Sequence, residues 1–394
     1  MIDIQTILPL AEELYPGLKK ISAFIHQNPE LGMEEYQASA KAADFLERHG
    51  FAVTKNLAGL PTAFQAEKKI GNGNGPHFAF MAEYDALPDI GHACGHNLIC
   101  VSGLAAGCLA AAFLEKLNHP GRISVFGTPG EEGKSGKVLM KQAGVFDDVD
   151  ASLISHPYDI SSTDDGAYAV ARYKVAYYGK ASHSGMAPEE GINALDAMIS
   201  LYNGVSMWRQ HFTEDVRVHG IITHGGTAVN IVPDYTEALF YLRSSDKKVQ
   251  QKIEKRFQQI ARGAAEQTGC SVDVIRMSAN DPCLVNGPLN REYYQYWKQM
   301  GGEIRYAKGN EGRASTDYGD ISQMMPGANL HFGICEKPGV PLHCREFQQA
   351  AGTDHAFQQA MKCAVIMAAV CLQYYEDPVF REEVHRDFTD RKKD

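Results

Sequence analysis

The chain has 394 residues, and at roughly 150 residues per domain that length implies two or three domains. Hydrophobic residues at 44% and charged residues at 22% are globular proportions and exclude wholesale disorder. A formal net charge of −10 excludes nucleic acid and anionic membrane as main partners, because both require a basic surface.

The N-terminal residues MIDIQTILPLAEELYPG lack a basic segment and carry adjacent glutamates, so they do not read as a signal peptide. Ile7, Leu10, Leu14, Leu18, Ile21 and Ile25 recur at helical spacing and predict a helix over 4–26. A second helix is expected over 34–49, stopped by Gly50. Strands are expected at 52–56, 62–67 and 78–81. Gly71-Asn72-Gly73-Asn74-Gly75 reads as a turn between strands, since no Lys-Ser/Thr pair or helix start follows it. The apolar run 101–114, like 361–372 near the end, falls short of the ~20 residues needed to cross a bilayer, and both are expected to be buried core helices. Strands at 123–126 and 151–155 continue an alternation of strand and helix, which predicts a mainly parallel sheet with helices on both faces.

Near Tyr168 the pattern changes. A long strand is expected at Ala169–Tyr178, a helix after Asn193, strands at 216–223 and 235–243, a charged helix at Lys247–Thr268 and a strand at 271–277. This reads as a smaller α+β domain, 168–281, inserted into an α/β domain made of 1–167 and 282–394 and ending in a helix over 353–375. Nine scattered cysteines are expected to be reduced thiols in a cytoplasmic protein.

Four groups carry metal-binding or acid–base chemistry. Cys94 and His96 flank a glycine that permits a tight turn, so both side chains can converge on one point. The N-terminus of the following helix is expected to favour the thiolate, the metal-binding form. A buried structural cysteine beside capping groups is the alternative. Glu131 and Glu132 lie between glycines after a strand, and in an extended stretch their side chains would point in opposite directions, one to a metal and one to substrate. A solvated acidic turn is the alternative. His156 ends a predicted strand and His343 sits in Pro341-Leu342-His343-Cys344; either histidine can equally be an ordinary satisfied polar residue. Three of the four groups follow strands able to share one sheet, at the end where α/β sheets build their sites.

The ordered motifs His26-Gln-Asn-Pro-Glu-Leu-Gly, Asp85-Ala-Leu-Pro, His92-Ala-Cys-Gly-His, Gly130-Glu-Glu-Gly, Gly179-Lys-Ala-Ser-His183, Asn230-Ile-Val-Pro-Asp and Ser315-Thr-Asp-Tyr-Gly-Asp resemble the M20 family of metallopeptidases, and more closely its amidohydrolase branch, subfamily D. The resemblance implies a catalytic α/β domain with an inserted dimerisation or lid domain, and hence a homodimer or higher homo-oligomer. It implies two divalent metal ions held by Cys94, His96, Glu132, His156 and His343, with Cys94 bridging them, Glu131 as general base and Asp85 orienting a ligand histidine. It further implies that His183 and Asn230 reach toward substrate, His183 as an oxyanion donor that often acts in the partner's site. The segment Asp85-Ala-Leu-Pro-Asp-Ile-Gly-His92 is short, and Asn97 stands where hippurate-cleaving members usually carry Asp. That departure is more similar to the p-aminobenzoyl-glutamate hydrolases and to dipeptidases releasing a basic or acidic amino acid.

On this reading the chain is a metal-dependent amidohydrolase or peptidase. It cleaves a small N-acyl amino acid, an aminobenzoyl-glutamate-like compound or a dipeptide, with metal-activated water and Glu131 moving the proton. Mixed sulfur, nitrogen and oxygen donors suit zinc, and manganese is compatible. Arg243 and Arg313 can grip a substrate carboxylate with paired hydrogen bonds, or equally form surface salt bridges. Two other classes compete: a non-catalytic metal-binding regulatory protein on the same fold, which leaves Glu131 unexplained, and a hydrolase with Cys94 as nucleophile, which leaves the glutamate pair without a task.

Overall fold

The computed structural model describes residues 2–309, 311–312 and 314–393. The chain forms two compact units, one of Met1–Gly166, Cys283–Gly312 and Thr316–Asp394, the other of Ala167–Pro282 together with Ala314 and Ser315. In chain order the strands are β1 (Ala52–Lys55), β2 (Phe64–Ile70), β3 (His77–Ala82), β4 (Gly121–Gly127), β5 (Ala151–Tyr158), β6 (Ala169–Tyr178), β7 (Arg217–His224), β8 (Tyr235–Ser244), β9 (Ser271–Asn280) and β10 (Gly327–Gly333).

The first unit holds a sheet of order β1-β2-β4-β3-β5-β10. Its centre, β4-β3-β5-β10, is parallel, and β2 and β1 extend it antiparallel. Every residue of β3 is buried, so both faces of the sheet are covered, as parallel sheets require. The mainly parallel α/β fold expected from the alternation is the one observed. Helices His96–Leu117 and Asp354–Glu376 pack on each other and on this sheet.

By length and composition both helices could cross a membrane, which corrects the expectation drawn from the shorter apolar runs within them. They serve here as core: 94% and 78% of their most apolar windows are buried inside the protein. Their ends follow local chemistry. Thr353 caps the later helix by accepting the Ala356 N–H, and Gly95, in the left-handed region, precedes the earlier one.

Several boundaries move for identifiable reasons. The helix expected over 4–26 begins as a separate 3-10 turn, Ile4–Thr6, capped by the Asp3 side chain, before the α-helix Leu8–Gln27. Strand β5 runs past its expected end at 155 because β10 continues to pair with it through His331↔His156 and Phe332↔Pro157. Its other neighbour, β3, pairs only with 151–153. The tail of β5 is therefore an edge on that side, where a proline's missing N–H costs no ladder bond.

The second unit is an antiparallel sheet of order β7-β8-β6-β9 with helices Ala194–Trp208 and Lys247–Thr268 packed against it. Residues of β8 alternate between buried and half-buried along its whole length. Tyr173, Val175, Phe240, Leu242, Leu201 and Phe257 form its core.

Candidate metal centre

The chemistry-bearing residues of the first unit gather beyond the carboxyl ends of β3, β4 and β5. Asp85 follows β3, Glu131 and Glu132 follow β4, and His156 lies in the tail of β5. Cys94 and His96 flank Gly95, whose φ of 76° is a left-handed value; a Cβ there would also lie 2.5 Å from Pro157 Cγ. Only glycine fits this turn against the residue after His156. His343, itself at φ 63°, is tied to the same segment by its N–H donating to the Ala93 carbonyl at 3.0 Å.

Three groups of donor atoms result, in each of which all atoms lie within 4.8 Å of one another: Cys94, His96 and His156; Cys94, Glu132 and His343; and His96, Glu131 and Glu132. Cys94 belongs to two of them. Its Sγ lies 3.4 Å from His156 Nε2, and His343 Nε2 lies 3.2 Å from Glu132 Oε1. The opposed side chains expected of an extended Glu131-Glu132 pair are not found. Gly130, at φ 65°, opens a kinked turn, Glu131–Lys134, with Glu132 at ψ 77°. Both carboxylates therefore reach the His96 group, and only Glu132 also reaches Cys94 and His343.

The surrounding hydrogen bonds aim these donors. His156 Nδ1 bonds the Pro157 carbonyl at 2.8 Å, which leaves Nε2 toward Cys94. Asp85 Oδ1 lies 2.9 Å from His96 Nδ1, and Asp85 Oδ2 accepts the Glu132 N–H at 2.9 Å. One buried carboxylate thus orients both a histidine and the glutamate turn. Glu35 accepts the Gly130 N–H at 2.8 Å and the Thr62 hydroxyl, fixing the start of that turn. Buried His96 Nε2 and Glu132 Oε1 have no hydrogen-bond partner among the described residues; the approach of His343 to Glu132 lacks hydrogen-bond geometry. Buried polar atoms without partners are costly, and these are the atoms a cation would satisfy. A sulfur, nitrogen and oxygen donor set of this kind fits divalent metal.

The protein's own electrostatics differ from one donor to the next. Burial pushes the Cys94 thiol well above its ordinary range despite the nearby His96, so the helix terminus does not by itself yield the expected thiolate. Burial lowers His156 to about 4, keeping it a neutral donor at pH 7. For His96, burial is outweighed by Asp85 and Cys94, which raise it well above the usual histidine value. For Glu132, burial is outweighed by its contact with His343 and by His96, and the carboxyl is lowered. Glu131 is held well above the carboxylate range, first by burial and then by the charges of Glu83, Glu132 and Asp317.

Sequence reasoning gave no role to the neighbours Glu83 and Lys137, nor to Asp317, although Asp317 lies in the motif Ser315-Thr-Asp-Tyr-Gly-Asp. Lys137 is fully buried and its Nζ lies 2.6 Å from both Glu83 Oε1 and Asp317 Oδ1. A signal existed for Glu83, which shares the end of β3 with Asp85 at a spacing of two. None existed for Lys137, which reads as a surface lysine. Asn97 turns away from the donors: its amide donates to Ser22 Oγ and to the Ala351 carbonyl, both at 3.0 Å.

In the second unit His183 and Asn230 are exposed and lie on paired loops, with Ser184 N–H donating to the Asn230 carbonyl at 3.0 Å. His183 Nδ1 accepts the Gly185 N–H at 3.1 Å. Arg243 donates to Ser315 Oγ at 2.9 Å and, like Arg172, stacks on Tyr241, at 5.7 and 5.3 Å from the ring centroid. Arg313 lies outside the described residues.

A mainly parallel sheet with sulfur, imidazole and carboxylate donors clustered at its carboxyl ends has the make-up of a metal-dependent hydrolase. Residues 166–269 match the family model of a peptidase dimerisation domain. The chain is 36% identical to the Xaa-Arg dipeptidase of Homo sapiens, over 96% of this chain and 90% of that protein. It is 30% identical to a component of the p-aminobenzoyl-glutamate hydrolase of Escherichia coli strain K12, over 93% of this chain and 91% of that one. Its fold matches that of the Bacillus subtilis YXEP protein, a dinuclear metal-binding peptidase from the M20 family, with a TM-score of 0.68 at 19% identity, over 92% of this chain and 99% of that one. The chain belongs to the M20 family of metallopeptidases.

Proposed function

We propose that this protein is a binuclear dipeptidase or N-acyl amino acid hydrolase whose two divalent ions are held by Cys94, His96, His156, Glu132 and His343. The observation that carries the reading is that the group with His96 and His156 and the group with Glu132 and His343 together contain all five residues and have Cys94 as their common donor, so Cys94 would be the ligand shared by two ions. When bound, the ions supply a Lewis acid that polarises the scissile carbonyl and makes water nucleophilic near neutral pH. Glu131 is the general base. Burial, then the charges of Glu83, Glu132 and Asp317, raise its proton affinity, and the nearby cations would offset this enough to leave it ionised, able to take a proton from water and pass it to the leaving amine. Asp85 keeps His96 and the Glu132 backbone in register. The mixed donors suit zinc, with manganese compatible.

His183 and Asn230 are proposed to contact substrate on the strength of their motifs, and Arg243 to bind a substrate carboxylate through its guanidinium. The dipeptide class draws support from the Xaa-Arg dipeptidase, and the aminobenzoyl-glutamate class from the bacterial hydrolase. The dimerisation-domain match supports a homodimer. The test is hydrolysis of Xaa-Arg and Xaa-Glu dipeptides, hippurate and p-aminobenzoyl-glutamate by metal-loaded protein. Hydrolysis of at least one dipeptide or of p-aminobenzoyl-glutamate, abolished by chelator and restored by zinc or manganese, is expected. Activity that survives complete metal removal would instead favour Cys94 as a nucleophile paired with His156.

A further inference from the structure

Glu83 stands outside the five donors, yet it is placed as one of them. It is 1% exposed. One of its oxygens is held by Lys137 Nζ at 2.6 Å. The other, Oε2, is buried with no hydrogen-bond partner among the described residues and lies 3.5 Å from His96 Nε2, which is equally without one. Because His96 Nδ1 faces Asp85, the usual arrangement puts the proton there and leaves a lone pair on Nε2. Two acceptors would then face each other in a buried space, an arrangement that is repulsive unless a proton or a metal cation lies between them, and the 3.5 Å separation is long for a hydrogen bond. Two donors bonded to one ion at ~2.0–2.1 Å in tetrahedral geometry are themselves roughly 3.3 Å apart. The observed separation is close to that spacing.

The groups behind Glu83 account for its aim. Lys137 is in the helix Gly136–Gln142, directly after the Glu131–Lys134 turn. Its ammonium joins Glu83 to Asp317, and Asp317 Oδ2 also accepts the Lys137 N–H at 2.9 Å. A buried lysine between two carboxylates fixes both, because leaving any one of the three unpaired is strongly unfavourable. The clamp ties the end of β3 and the start of the helix Tyr318–Ser322 to the segment that carries Glu131 and Glu132.

We propose that Glu83 Oε2 is a further protein ligand of the metal ion bound by His96, and that Lys137 and Asp317 are the positioning residues that hold it there. The inference rests on the metal-binding reading above. The test uses the full chain, stripped of metal and titrated with Co²⁺, read by bound-metal stoichiometry and by the visible d–d spectrum. Glu83→Gln removes the charge at constant size, Glu83→Asp keeps the charge but withdraws the oxygen, and Lys137→Met releases the clamp. Wild-type protein is expected to bind two Co²⁺ per chain. Both Glu83 variants should weaken one of the two by at least ~10-fold and change its d–d bands, and Lys137→Met should weaken the same ion. Circular dichroism checks folding, and Glu83→Asp decides the matter if Glu83→Gln does not fold. Wild-type affinity and spectrum in Glu83→Asp would overturn the ligand role and leave Glu83 as a counter-charge for Lys137. Failure of the wild-type chain itself to bind Co²⁺ would overturn the metal reading and this inference together.

Discussion

The two sheets of the molecule obey different rules. In the first unit β3 is buried at every position, while in the second β8 is buried at every other one. A sheet covered on both faces offers polar chemistry only where its strands end, and there Asp85, Glu131, Glu132 and His156 gather. A sheet with one open face carries polar groups along its length, as Arg172, Tyr241 and Arg243 do. Charge is expensive in the first setting and cheap in the second, so shifted ionisation and partnerless donors concentrate in the first unit.

The sharpest break in this comparison separates neighbouring carboxylates of the first unit. Glu131→Gln should retain metal and lose ~10²–10⁴-fold in kcat. Glu132→Gln should instead lose metal. Parallel loss of metal in both would show that the two glutamates do not divide the work. In the second unit, His183→Ala should leave metal content unchanged and lower kcat by ~10²–10³-fold with a smaller effect on KM, as loss of an oxyanion donor does. Unchanged kcat would remove His183 from the mechanism.

The sheets can be compared directly by placing aspartate at consecutive positions. In β3, Phe80→Asp and Met81→Asp should each destabilise by about 3 kcal/mol or more, because both faces are core. In β8, Leu242→Asp should do the same and Tyr241→Asp should cost no more than about 1 kcal/mol. Equal costs at 241 and 242 in denaturant melts would contradict the one-faced burial of β8.

A subtler effect lies in pH. Burial, then the charge of Asp85, pushes Glu35 up to about 7 from 4.5. A raised pKa means the native state prefers the protonated acid. The stability it contributes is fully present below about pH 4.5 and is lost as pH rises through about 7, a change of about 3 kcal/mol. Relative to wild type, Glu35→Gln should therefore gain stability as pH rises from 5 to 7.5. Parallel melting curves for the two proteins across that range would refute it.

Much of the fold was legible because it is written in local patterns. Helical spacing marked Lys247–Thr268, and strand-like runs marked β6 and β8, with boundaries shifting by a residue or so. The site was legible only in pieces. Cys94-Gly95-His96 and Gly130-Glu131-Glu132-Gly133 announce reactive groups, but their convergence depends on which strands are neighbours. The kink at Gly130 was hidden because glycine permits many conformations and indicates none. Lys137 was hidden for a different reason: the carboxylate that makes its burial tolerable, Asp317, lies 180 residues away. No local pattern encodes such a pair.

The central claim is that two metal ions share Cys94, and anomalous diffraction from crystals of metal-loaded protein tests it most directly. Two peaks per chain are expected, both within bonding distance of Cys94 Sγ, one toward His96 and His156 and the other toward Glu132 and His343. A single peak, or two peaks of which one lies away from the cysteine, would contradict the account.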